Sequence, residues 1–240
     1  MYQPSWLDGL QVSTDWYQIE IKDAVGSLGA QRITDECYAG VTAQCKFIER
    51  DAGGGLQKVF NYFQNSASAR VEGVDFEGAY RTEPDFFASE FESFSVRGLM
   101  GYIIERSNVS APGAVSTHIE GGTGTPQFTS LITTTYTLGS MSFMLQGRYI
   151  DNTVLNTTWI EGRDVDDNSV ASNSWFNGQL GYNGEMSNGS TWNASFNVQN
   201  LLDRTPPIVA SYGNRGGSQS LSDNYDLEGR RYQLSLNYNF

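Results

Sequence analysis

Apolar and polar residues alternate with a period of two along most of this chain, and the pattern recurs in segment after segment. Successive strand residues face opposite sides, so such alternation writes two faces of different chemistry and points to strands rather than helices. It is cleanest at the C-terminus. There Tyr232, Leu234, Leu236, Tyr238 and Phe240 alternate with Gln233, Ser235, Asn237 and Asn239. Trp192, Ala194, Phe196 and Val198 oppose Asn193, Ser195, Asn197 and Gln199. Phe176, Gly178, Leu180 and Tyr182 oppose Asn177, Gln179, Gly181 and Asn183. Met141, Phe143, Leu145, Gly147 and Tyr149 oppose Ser142, Met144, Gln146 and Arg148. Upstream, the same alternation sets Phe128, Ile132, Tyr136 and Leu138 on one face, then Phe94, Val96, Met100, Tyr102 and Ile104, then Val74, Phe76 and Tyr80. The first strand, spanning about 10–24, slips phase between Trp16 and Ile19, which predicts a bulge or a strand that continues above the membrane. About eight strands result, each of the length a transmembrane β-strand needs, roughly 9–11 residues or more.

A soluble sandwich also alternates, so two further features carry the choice. Aromatic residues sit at both ends of the strands: Phe94 with Tyr102, Phe128 with Tyr136, Phe176 with Tyr182, Tyr232 with Tyr238 and Phe240. Girdles at two membrane interfaces have this pattern. The connections also alternate in length. Long ones cover 25–67, 107–127, 151–174 and 203–229; short ones lie near 81–93, 137–140 and 184–190. Outer-membrane barrels pair long extracellular loops with short periplasmic turns. The expectation is therefore an all-β fold, an antiparallel transmembrane β-barrel segment of about eight strands. Asp75, Glu77, Arg97, Arg148 and Gln179 would face the lumen. In the clean strands the lipid-facing positions carry no charge, as the cost of about 2–4 kcal/mol for a midplane Arg or Lys requires.

Composition narrows the function. The formal net charge is −12, which argues against a nucleic-acid partner and against a polybasic surface for anionic lipid. No apolar run is long enough for a transmembrane helix, and Met1-Tyr2-Gln3-Pro4 does not open a secretory signal. Cys37 and Cys45 stand eight apart in a polar stretch. With a single, remote His118 the set does not suit a zinc site. A local disulfide is favoured and implies an oxidising compartment, two unpaired surface thiols being the alternative.

Two C-terminal segments carry a specific likeness. Asn197-Val-Gln-Asn200-Leu201-Leu-Asp203-Arg204-Thr-Pro-Pro-Ile-Val209 resembles the penultimate strand and following loop of TonB-dependent receptors. Tyr225-Asp226-Leu-Glu-Gly229-Arg230-Arg-Tyr232 through Phe240 resembles their last strand. Ser68 to Asp75, and Trp16 to Ala24 followed by the cysteine loop, are also similar to members of that family. The resemblance implies an outer-membrane receptor barrel in the bacterial cell outer membrane, working with outer-membrane lipid. It would be assembled by the barrel-assembly machinery through Tyr232, Leu234, Leu236, Tyr238 and Phe240. It implies energised uptake of a small nutrient ligand of the iron-siderophore, cobalamin or oligosaccharide class. Family members carry a signal peptide, a plug domain and a TonB box, and close about 22 strands. On this reading residues 1–240 are the C-terminal part of the barrel without those parts, and the TonB system is reached only through them. The alternative is a self-contained eight-stranded barrel with a structural or adhesive role; a soluble sandwich ranks third.

The remaining residues point away from catalysis and cofactors. His118, with Ser116 and Glu120 near it in sequence, is read as an ordinary loop histidine, since a triad is assembled in space. Asp164, Asp166, Asp167 and Asn168 match the opening of a Ca²⁺ loop but lack its Gly and closing Glu, so a solvated acidic loop is favoured and no metal is assigned. Gly-rich 51–55 and 121–124 are turns, not phosphate cradles. Aromatic loop residues are the candidate ligand contacts: Tyr38 and Tyr62, beside Phe60 and Phe63, in the first long loop, Trp159 in the third and Tyr212 in the fourth, with self-packing as the plainer role.

Overall fold

A computed structural model of the chain describes residues 1–87, 91–109, 115–209, 225 and 227–239. In chain order the elements are β1 (Leu10–Gly26), α1 (Ala30–Tyr38), α2 (Thr42–Cys45), β2 (Ile48–Arg50), β3 (Leu56–Val59) and β4 (Gln64–Thr82). β5 (Glu92–Val109), β6 (Thr117–His118), β7 (Phe128–Leu138), β8 (Met141–Ile150), β9 (Thr153–Val154) and β10 (Ser169–Val170) follow. β11 (Asn173–Glu185), β12 (Thr191–Gln199) and β13 (Arg231–Asn239) complete the set. The eight long strands form one sheet in the order β1-β4-β5-β7-β8-β11-β12-β13, with β6 on β5. The described pairings along it are antiparallel and join sequence neighbours. β1 and β13 are the ends of this path.

Two compact units divide the chain: residues 1–16, 73–103 and 121–240, and residues 17–72 and 104–120. In the first, register confirms which side chains share a face. Leu145 lies opposite Thr134 and Gly178, Leu180 opposite Phe143 and Phe196, and Phe196 opposite Leu234. The apolar set therefore passes from strand to strand, with Thr134 and Gly178 among its members. It has no cover. Leu145 is 47% exposed, Leu180 52%, Leu234 78% and Leu236 72%, while the buried apolar residues among those described are Ile33, Ile150, Val170, Trp175, Val209 and Tyr225. A soluble protein gains about 1.5–3 kcal/mol from burying each Leu or Phe, and this sheet forgoes that gain across its whole apolar face. Such a face is stable against lipid. The sandwich reading fails here, because it needs a second sheet over these residues and none is found among the described residues.

The opposite face is wet and hydrogen-bonded. Gln146 donates to Thr133 Oγ1 (3.3 Å) and accepts from Asn177 (3.3 Å), whose own Oδ1 takes the Asn200 N–H (3.0 Å). Asn193 donates to Asn183 Oδ1 at 2.8 Å, and Arg97 pairs with Glu77 at 2.7 Å. Such cross-strand pairs hold register where no apolar packing does.

The lipid side ends in rings. At the short-turn end Tyr136 stacks on Phe143 (6.4 Å) and Tyr182 on Trp192 (5.3 Å). Gly184 makes the second stack possible, since a Cβ there would lie 2.3 Å from the Trp192 ring. Toward the long loops Phe128 meets Tyr149 (6.0 Å) and Phe196 meets Tyr232 (6.2 Å). From Phe94 to Tyr102 along β5 is about 26 Å at strand rise, the height of an outer-membrane apolar band.

The turns follow local chemistry. β7 and β8 are joined by Gly139-Ser140 alone, and Gly139 has φ 52°, the left-handed geometry a two-residue hairpin requires at that place. The strands of the first half run longer than their alternation shows: β4 starts at Gln64 and β5 ends at Val109. The phase slip in β1 is accommodated inside one continuous strand, with Trp16, Ile19 and Ile21 all exposed. β4 slips as well. Arg70 and Glu72 engage each other and Arg70 reaches Glu105, whereas Asp75 and Glu77 carry the polar phase further on.

Candidate functional site

The second unit contains the first long connection, which the sequence presents as an irregular loop. It is built of α1, α2 and the β2–β3 hairpin. The Cys37 and Cys45 sulfurs are bonded, with their Cα atoms 4.9 Å apart, so the end of α1 is fixed to the end of α2. Ile33 is the buried apolar anchor of α1, and the Gly29 N–H donates to Asn61 Oδ1 at 3.0 Å.

Beside this staple sits an aromatic cluster. Tyr62 stacks on Phe60 (5.6 Å, 11° between planes) and meets Phe47 edge-on (6.2 Å). Lys58 lies over the Phe60 ring at 4.5 Å and Lys46 over Phe47 at 4.9 Å. The chain has three lysines, Lys22, Lys46 and Lys58, so two of them are gathered on this one cluster. Ring faces attract ammonium groups through their quadrupole. Tyr62 is 56% exposed, while Tyr38 stands 95% exposed next to Cys37. Of the other candidate contacts, Trp159 is half-buried and its carbonyl accepts from Asn168 (3.4 Å). Tyr212 lies outside the described residues.

The first unit holds an open concavity of about 520 Å³ on the polar face, lined by Ser13, Asp15, Asp75, Glu77, Thr129 and Arg148 among others. Its charged lining groups are Asp15, Asp75, Glu77 and Arg148. Nearby, Arg148 lies over Trp175 (5.2 Å), and Trp175 packs against the buried Tyr225 (6.3 Å) and Ile150. Tyr225 thus packs on the polar side of β8 and β11.

The C-terminal motif is a structural knot. Asn200 is buried at φ 50°, and its side chain both accepts from the Arg204 N–H (2.8 Å) and donates to the Arg204 carbonyl (2.9 Å). Asp203, at φ 53°, accepts the Arg230 N–H at 3.0 Å, across 27 residues of chain. Gly229, φ 74°, comes so close that a Cβ would stand 3.3 Å from Asp203 Oδ1. Asn200, Asp203, Arg204, Gly229 and Arg230 therefore tie the start of the last loop to the start of β13. Leu201 and Leu202 are exposed on this tie. Tyr232, Leu234, Leu236 and Tyr238 form the outer face of β13, and Asp226 and Phe240 lie outside the described residues.

The acidic third loop uses its oxygens internally. Asp164 accepts from Arg163 (2.8 and 3.0 Å) and from the Ile160 N–H (2.9 Å), which holds its carboxyl down at about 2. Asp167 accepts from the Ser169 hydroxyl and N–H, lowering it likewise, and Asn168 clamps Asn156. Asp167 and Ser169 thus form an Asx-type turn, and no group of three metal-ligating side chains occurs among the described residues. His118 Nδ1 is 3.1 Å from Glu120 Oε1. Burial raises the Glu120 carboxyl, but the Arg106 N–H, the chain's own N–H and His118 outweigh it and leave it lowered.

A sheet with an exposed apolar side, aromatic residues toward both ends and a hydrogen-bonded polar side is the wall of a transmembrane β-barrel. The chain belongs to the TonB dependent receptor-like β-barrel family, whose model matches residues 2–201 and leaves the segment after Leu201 outside the match. That family comprises outer-membrane receptors and transporters. Neither the curated proteins nor the solved structures contain a match to the chain.

Proposed function

We propose that this chain is the C-terminal portion of an outer-membrane receptor that takes up a scarce nutrient by an energised route. The family membership carries this reading. The loop-closing contact of Asp203 with Arg230 supports placing the segment at the end of such a barrel. The two edges of the sheet support it further. Unpaired strand edges are very costly in hydrocarbon, and β1 and β13 each need a neighbour that the path does not supply. Strands of the same barrel meet that need. A self-contained eight-stranded barrel would instead pair β1 with β13, and no such pairing is found among the described residues, which weighs against it.

In this reading the concavity is part of the lumen wall, facing a plug domain encoded upstream, through which the TonB system acts. The barrel-assembly machinery engages β13 by strand addition. The disulfide-stapled first loop captures ligand, with Tyr62 and the Lys46 and Lys58 ammonium groups favouring a ring-bearing, negatively charged nutrient over a cationic one. The siderophore, cobalamin and oligosaccharide classes all offer rings or sugar faces.

Sequencing the DNA upstream of Met1 tests the proposal. An open frame encoding a signal peptide, a plug and about fourteen further alternating strands is expected. A signal peptide joined directly to Met1 would overturn it in favour of a separate small barrel.

A further inference from the structure

Gly178 leaves a gap in the lipid-facing wall. Register sets Thr134, Leu145, Gly178, Val198 and Tyr232 in one row across β7, β8, β11, β12 and β13. A Cβ built on Gly178 would meet the Met144 carbonyl oxygen at 4.0 Å, and no side chain of the described residues fills the space between Leu145 and Val198. The result is an open groove of about 330 Å³, lined by Leu145, Gly178, Leu180, Phe196, Val198 and Leu201 among others. A cation stands at the long-loop end of the same row. Arg230 is exposed, two residues before Tyr232, and its Nη1 donates to the Tyr232 hydroxyl at 3.4 Å. The Tyr232 ring stacks on Phe196 with 12° between planes, and Phe196 lines the groove. One ring therefore connects the guanidinium to the groove. The acids nearby have partners of their own: Asp203 Oδ1 accepts the Arg230 N–H at 3.0 Å, and Glu228 pairs with Arg231.

We propose that Arg230 and the Gly178 groove seat one phosphate-bearing lipid of the leaflet on the long-loop side. The phosphate takes the guanidinium, and an acyl chain lies over Gly178 between Leu145 and Val198. Lipid is the occupant because the groove opens on the side whose Leu and Phe residues are exposed, where an apolar chain fits. The head is anionic because the charge at the end of the row is a guanidinium. A guanidinium carries five N–H donors in a planar fork that matches phosphate oxygens, and the Tyr232 hydroxyl occupies one of them. The formal net charge of −12 gives no broad attraction to anionic lipid, so a preference of this kind has to be local. The proposal rests on the barrel reading and adds one lipid class at one place on the wall.

Spin-labelled lipids test it. The full chain is inserted into phosphatidylcholine vesicles that carry a trace of nitroxide-labelled phosphatidic acid or of nitroxide-labelled phosphatidylcholine. Electron spin resonance reads the motionally restricted fraction of each. Phosphatidic acid is expected to be restricted several-fold more than phosphatidylcholine, and Arg230→Gln to bring the ratio close to one. Arg231→Gln is the control: Arg231 lies opposite Gln199 in the polar phase and is held by Glu228, so the ratio should stay. Gly178→Leu fills the gap and should lower the restricted phosphatidic acid. Equal losses from Arg230→Gln and Arg231→Gln would mean general charge attraction and overturn the proposal. A ratio of one in the unsubstituted chain overturns it too, as does a restricted fraction that Gly178→Leu leaves unchanged. Should neither lipid show a restricted fraction, the barrel reading falls and the seat with it. If Arg230→Gln does not insert, Tyr232→Phe removes the hydroxyl that aims the guanidinium; it should lower the ratio, and an unchanged ratio overturns the proposal.

Discussion

Replacing Leu145 with Arg places a charge at the middle of the lipid-facing side. Leu145 is 47% exposed, in register with Thr134 and Gly178, and borders a groove with Phe143, Leu180 and Phe196. A midplane Arg in an outer-membrane barrel costs about 2–4 kcal/mol, a loss of roughly 30- to 700-fold in the folded-to-unfolded ratio. The adjacent Met144→Arg is the matched control. Met144 points to the polar side, opposite Thr135 and Gln179, where a guanidinium keeps its water and the change stays within about 0.5–1 kcal/mol. Both variants share the same open edges, so those contributions cancel in the difference. Guanidinium titration of the chain in lipid vesicles, followed by tryptophan emission, reads the two midpoints. Equal costs for Leu145→Arg and Met144→Arg would refute the assignment of the two faces.

Two further outcomes follow from the loops. Asp164 has its carboxyl lowered from 3.8 to about 2 by the Arg163 hydrogen bonds and the Ile160 N–H. A depressed folded-state value contributes stability above the ordinary carboxylate range and loses it as pH falls through about 2. The Ile160 amide resonance should hence titrate near 2, and Arg163→Gln should move that midpoint upward; a midpoint unchanged by Arg163→Gln removes the cause assigned here. Reducing the Cys37–Cys45 bond, which spans eight residues of sequence, releases about 2.5 kcal/mol of loop-closure entropy. Amide exchange across α1 and α2 should accelerate about 60-fold while β11 and β12 keep their rates. Uniform acceleration would mean that the staple serves the whole fold.

Alternation made the faces legible because strand side chains repeat every two residues whatever their partners. The paired aromatics and the unequal connections then distinguished lipid from a second sheet. Elements too short for any period stayed hidden: α1 presents one buried residue, Ile33, and the β2–β3 hairpin is three and four residues long. The β4 and β5 extensions were obscured by the phase slip near Gly73 and by polar residues such as Arg70 and Glu105, which pair with each other across strands. Glu92 looked like part of a turn, since its donors come from Phe87 and from Tyr136, 44 residues away. The C-terminal motif was recognisable as a likeness, but its physical role depends on the contact between Asp203 and Arg230, 27 residues apart. Tyr62 was identifiable as an aromatic loop residue. Its grouping with Phe47, Phe60 and two of the three lysines required the folded hairpin.

The most direct test of the account is thiol accessibility along β12 in vesicles, using Ala194→Cys, Ser195→Cys, Phe196→Cys and Asn197→Cys with the native disulfide kept intact. A membrane-impermeant maleimide should label positions 195 and 197, which share the polar side with Gly181, Gln179 and Ser235, and should spare 194 and 196. Labelling that does not alternate, or that alternates with 194 and 196 reactive, would contradict a barrel wall with its Phe and Leu face in lipid.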